Sequence, residues 1–128
     1  MGNIQINNDS EGKSYAIKVS HNQKVIQIKR ANPLKQTVNF DANRQALKTL
    51  TANGYVLYMY LTMHPHDMVW ALSRKDVFNE TTLKERAYEA AVADLIQNKY
   101  LVPHDINSTY GNWKADNNAY YFYENNGT

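Results

Sequence analysis

The run Tyr55-Val56-Leu57-Tyr58-Met59-Tyr60-Leu61 constrains this chain more than any other stretch. Wound as a helix it is apolar on nearly every side, so it has no solvent face of its own and must lie between other elements. Thr51 stands where its hydroxyl can cap that helix, and His64-Pro65 ends it, because a residue before proline is pushed out of the helical region. Residues 52 to 63 are therefore expected to form the central core helix.

The neighbouring stretches supply elements to enclose it. Tyr15, Ile17 and Val19 alternate with polar residues, as do Ile26 and Ile28, and His21-Asn22-Gln23 lies between the two sets. Residues 14 to 30 thus read as a β-hairpin, ended by Asn32-Pro33. Asp41 is expected to N-cap a short helix that carries Ala46, Leu47 and Leu50. Met68 to Leu72 is short and apolar, and Ser73 with Asp76 three residues on resembles a capping box. That helix should end near Asn79, with Thr81 or Thr82 opening the next. In the latter, Tyr88, Ala91, Val92, Leu95 and Ile96 share one face. Tyr100 to Val102 and Ala119 to Tyr123 read as strands joined by a long polar loop, and the tail from Glu124 is expected to fray.

The chain has 128 residues, 43% of them hydrophobic and 20% charged, which suits one globular domain. It contains no cysteine, so disulfides, thiolate nucleophiles and cysteine-based metal centres are excluded. Neither a signal sequence nor a membrane span is visible, and a cytoplasmic protein is expected. Nothing pairs a nucleophile with a base, and no glycine-rich phosphate loop stands out, so no catalysis is expected and no cofactor is called for. His64, His66 and Asp67 are possible zinc ligands by type, but two histidines beside a proline suit a helix end better.

Charge is unevenly placed. The net value is +2, but residues 1–50 carry eight Lys or Arg against three acids, and the remainder six against nine. The order of elements, and three segments in particular, resemble the winged helix-turn-helix domains of plasmid and phage replication initiators, primosomal proteins and conjugation accessory proteins. The segments are Leu50 to Leu61, Trp70-Ala71-Leu72-Ser73-Arg74-Lys75-Asp76-Val77, and Leu83 to Tyr88 with Leu95-Ile96-Gln97-Asn98-Lys99-Tyr100-Leu101. The resemblance covers about residues 42 to 123. Lys99 stands where such domains have glycine, so Asn98 is expected in the left-handed position.

The resemblance implies an α+β fold with three to four helices, a C-terminal β wing and an additional N-terminal β-hairpin. Residues 1–40 would be the hairpin extension and 41–128 the winged domain, packed as one unit. It also implies a sequence-specific protein for double-stranded DNA, serving replication, transfer or phage development, with a protein of that machinery as a further partner. Lys84 and Arg86 would meet bases or phosphates, Thr81 and Thr82 a phosphate, Arg74 and Lys75 the backbone, and Lys114 the wing contact. Lys24, Lys29, Arg30 and Lys35 would form a second basic surface. Two alternatives stand beside this reading: a protein-interaction module or inhibitor on the same fold, and a dimeric repressor. The first is motivated by Glu85, Glu89 and Asp94 on the same helix, which suit a polyanion poorly, and by Tyr110 and Trp113 in the wing.

Overall fold

The computed structural model describes residues 2–8, 13–19, 23–32, 39–105 and 118–126. Its elements run β1 (Gly2–Asn8), β2 (Lys13–Val19), β3 (Val25–Lys29), α1 (Phe40–Thr49), α2 (Ala52–Thr62), β4 (Val69–Ala71), α3 (Arg74–Glu80), α4 (Glu85–Gln97), β5 (Leu101–Pro103) and β6 (Ala119–Tyr123). The fold is α+β, with four helices and a four-stranded mixed sheet in the order β4-β3-β6-β5.

Strand β3 is where the chain departs from the hairpin expected over residues 14 to 30. β2 pairs antiparallel with β1, whereas β3 lies inside the main sheet, antiparallel to β4 and parallel to β6. Burial explains the preference. Ile26 and Ile28 are wholly inaccessible, and a two-stranded ribbon has no core in which to place them. Between β4 and β6 they meet the buried helix face, where each is worth about 1.5–3 kcal/mol over an exposed side chain. The alternation read from the sequence holds within β3, since Gln27 and Lys29 point to the opposite, half-exposed side.

Helix α2 is central, as its composition requires. Leu57, Tyr58 and Leu61 are fully buried, and the Tyr58 ring meets Tyr100 and Phe122 edge-on at centroid distances of 5.3 and 5.7 Å. Its cap is the expected one, with Thr51 Oγ1 accepting from the Gly54 amide at 3.1 Å. Gly54 itself sits where α2 and α4 approach closely: a Cβ there would fall 2.1 Å from Asp94 Oδ2. That carboxylate accepts from both the amide and the hydroxyl of Thr51, at 2.7 and 2.9 Å, and from Asn98. Asp94 thus joins the start of α2 to α4, and does not belong to a free acidic surface.

Several caps differ from expectation for local reasons. Asn39, not Asp41, caps α1 by accepting from the Ala42 amide, which leaves Asp41 in the first turn. Ser73 caps α3 through the Asp76 amide as expected, but α3 continues past Asn79 to Glu80. Helix α4 begins at Glu85, and its N-cap Lys84 makes no side-chain cap bond. Thr81 instead binds backward, donating its hydroxyl to Val77 O and accepting from the Leu83 amide. At the far end Lys99, not Asn98, takes the left-handed conformation (φ 70°). Asn98 is otherwise engaged, its side-chain amide donating to both Asp94 O and Asp94 Oδ1. Of the expected inner face of α4, Tyr88, Ala91, Val92 and Leu95 are buried and Ile96 is exposed.

Candidate nucleic-acid interface

Helices α3 and α4 are joined by residues 81–84, and α4 is followed at once by the antiparallel strands β5 and β6. Leu83 is buried in the turn and Val77 beneath α3, so both helices are anchored by their inner faces while the N-terminal end of α4 stays at the surface. There Thr82, Lys84 and Arg86 are exposed, and Lys75 is exposed on α3. Lys84 Nζ donates to Phe78 O at 3.3 Å. Among the described residues neither Lys75, Lys84 nor Arg86 forms an ion pair.

Arg74 behaves differently. Its guanidinium forms ion pairs with Glu85 and, at 3.4 Å, with Glu89, and it lies 5.4 Å from the centre of the Tyr88 ring. Burial raises the Tyr88 hydroxyl to a pKa of about 12, against the opposing pull of Arg74. The acids of α4 therefore neutralise the first cation of α3 rather than facing outward alone.

Among the described residues the structure brings one N-terminal cation to this region. Lys24 is half-buried, and burial together with Arg74 lowers its ammonium pKa below the usual lysine value, with Glu89 acting in the opposite sense. Lys29 lies elsewhere, on the outer face of the sheet, paired with Asp67 at 2.6 Å and 5.6 Å from the Tyr121 ring centre. Lys35 and Lys114, like Tyr110 and Trp113, fall outside the described residues.

Arg30 is not a surface cation. It is 7% exposed, and its Nε donates to Glu124 Oε1 at 3.0 Å while NH1 donates to Thr62 O and His64 O at 2.8 and 3.1 Å. A guanidinium held this way cannot reach a phosphate without unfolding its surroundings. Glu124 is the other half of the arrangement. Instead of fraying it is 1% exposed, and its carboxylate accepts from the amides of Ala31 and Asn39 as well as from Arg30. Its carbonyl accepts from the Tyr58 hydroxyl at 3.0 Å. No local pattern marks Glu124 in the sequence, since its partners lie 66 to 94 residues away.

The three described histidines have structural partners. His64 stacks on Trp70 at a centroid distance of 4.3 Å, and His66 Nδ1 accepts the Arg30 amide at 3.0 Å. His104 stacks on Tyr121 and is hydrogen-bonded through Nε2 to Gln27 Oε1 at 2.6 Å, and burial lowers its pKa. Among the described residues no three His, Cys, Asp or Glu converge as a metal would require. None of the described helices is long and apolar enough to cross a membrane.

No protein family, curated protein or solved structure matches the chain.

Proposed function

We propose that the chain is a sequence-specific DNA-binding protein built as a winged helix-turn-helix, with α3 and α4 as the helix pair and β5–β6 as the base of the wing. The observation that carries this reading is the exposed set of Lys84 and Arg86 at the N-terminal end of α4 and Lys75 on α3, none of them ion-paired among the described residues. A helix presented end-first with its cations forward is the arrangement in which such a pair enters a major groove. The sequence resemblance to replication and transfer proteins supports an initiator or accessory role in a mobile element, with double-stranded DNA as the partner. Among the described residues of the N-terminal set, half-buried Lys24, within electrostatic reach of Arg74, is the cation that supports the same surface.

With so few unpaired cations, binding should depend only modestly on salt. Two or three phosphate contacts give a slope of log affinity against log salt of roughly −2 to −3. Selection of bound duplexes from a random pool, followed by isotherms at several salt concentrations, tests the assignment. Lys84→Ala and Arg86→Ala should each weaken binding by about 1–3 kcal/mol, or roughly fivefold to over a hundredfold. Absence of any enriched duplex, or binding indifferent to both substitutions, refutes the helix-centred site.

A second reading is supported by the neutralisation of Arg74 by Glu85 and Glu89, which removes one expected phosphate contact. On this reading the same fold serves protein interaction. A selection that recovers no duplex, with the protein folded and α4 substitutions silent, would favour it.

A further inference from the structure

A second surface, which reaches the turn before α4 at Thr81 and Thr82, carries a definite order of chemistry. Between α2 and α3 lies a groove of about 780 Å³. Its floor comes from α2 and the residue that follows it, with Tyr55, Met59, Tyr60 and Met63 among its lining residues, and Asp76 and Glu80 rim it from α3. Among the described residues no lysine or arginine lines it. The acids bear on the groove electrostatically: after burial, Asp76 and Glu80 are what raise the Tyr60 hydroxyl pKa.

Helix α1 borders the other side. Asn43 is bonded to the Tyr55 hydroxyl at 2.6 Å and to Met59 Sδ at 2.8 Å, which fixes α1 beside those two residues. Next to Asn43 on the helical wheel are Phe40 and Leu47, 76% and 61% exposed, and beyond them Arg44 and Lys48. Met63 is 75% exposed at the end of α2. Of the five large hydrophobic residues exposed in the described structure, three therefore lie on this one face. Across it the order is acid on α3, apolar along α2 and the α1 edge, then Arg44 and Lys48 on α1, with exposed Asp41 3.8 Å from the Arg44 guanidinium at the margin.

A surface acidic at one edge, basic at the other and apolar between complements itself when rotated by half a turn. In a two-fold dimer each residue contacts its counterpart's partner, so such a patch meets both its requirements at once. We propose that this face binds a second copy of the chain, with Phe40 and Leu47 of each copy covering the groove of the other and Arg44 and Lys48 facing Asp76 and Glu80. Nucleic acid and anionic membranes are poor occupants, because the acidic rim repels both. The dimer does not rest on the DNA reading, because the charged and apolar contacts it uses come from α1, α2 and α3, although Thr81 and Thr82 before α4 line the same groove.

Charge exchange tests it without DNA. Two variants are made, one carrying Asp76→Lys and Glu80→Lys, the other Arg44→Glu and Lys48→Glu, and each is checked for folding by circular dichroism. Sedimentation equilibrium over a concentration series should show dimers of the parent chain, and each variant alone should dimerise at least tenfold more weakly. Mixing the two should restore dimers of parental affinity, because every facing pair is again of opposite sign. A parent monomeric throughout, dimers indifferent to both reversals, or a mixture no tighter than the separate variants would each overturn the proposal.

Discussion

Arg30 and Arg74 are the same residue in opposite circumstances. Arg30 is enclosed, its guanidinium bonded to Glu124 and to two backbone carbonyls at the C-terminal end of α2. Arg74 has about half its side chain in solvent and is met by two glutamates that are more exposed still. The difference lies in what each carboxylate does besides pairing. Glu124 also accepts amides from Ala31 and Asn39, so it ties the end of β3 to the N-cap of α1. Glu85 and Glu89 hold nothing else together in the described structure. A buried pair is costly to break because the survivor stays uncompensated, whereas water replaces an exposed partner.

The largest effect should come from breaking the buried pair. Arg30→Ala leaves Glu124 charged inside the protein, and Glu124→Ala leaves the guanidinium and two amides without their acceptor. Each should cost about 3–5 kcal/mol in urea unfolding. Replacing both residues with apolar ones of similar volume should cost less than the sum, since no charge is then left behind. A loss below 1 kcal/mol for either single change would place Arg30 in the same class as Arg74 and remove the contrast.

Asp94 extends the comparison to a third carboxylate, only partly buried yet used like Glu124. Gly54→Ala puts a methyl group where its Oδ2 now lies, so the carboxylate must turn away and release the amide and hydroxyl of Thr51. The expected loss is about 1–3 kcal/mol, typical of overpacking a close contact. Combining it with Asp94→Ala separates the two causes. If the clash is the cause, the double variant should be no less stable than Asp94→Ala alone. Full additivity would mean that the glycine matters for something other than this approach.

How legible each region was follows from the range of its interactions. The caps at Thr51 and Ser73 and the burial of α2 are set by residues within a turn or by composition, and the sequence shows them directly. The inward alternation of Ile26 and Ile28 is equally local, but which strands flank β3 is not. Its neighbours β4 and β6 come from residues 69–71 and 119–123, and only the need to bury both isoleucines decides for them. The site divides likewise. Arg86 is exposed where the helical period places it, and Thr82 and Lys84 are exposed in the turn before α4, whereas the interior position of Arg30 depends on Glu124, 94 residues away. Counting charges along the chain treats both arginines alike. Placing Lys99 in the left-handed conformation also went against residue preference, because Asn98, the better candidate, serves Asp94 instead.

The smallest stability effect should belong to Arg74, and it is the most informative about function. Arg74→Ala removes two exposed ion pairs and the contact with the Tyr88 ring, for a loss of about 0.5–1.5 kcal/mol in all. Its effect on the proposed DNA binding can take two forms. If duplex DNA draws Arg74 away from Glu85 and Glu89, the substitution removes a phosphate contact and the salt slope should fall by about one. If the glutamates keep it, the slope stays unchanged and affinity shifts only through the charge balance of α4. In the second case, Glu85→Gln together with Glu89→Gln should free Arg74 and steepen the slope of the otherwise unaltered protein. A steeper slope there identifies the two acids as a restraint on binding, and an unchanged one leaves Arg74 as a surface brace between α3 and α4.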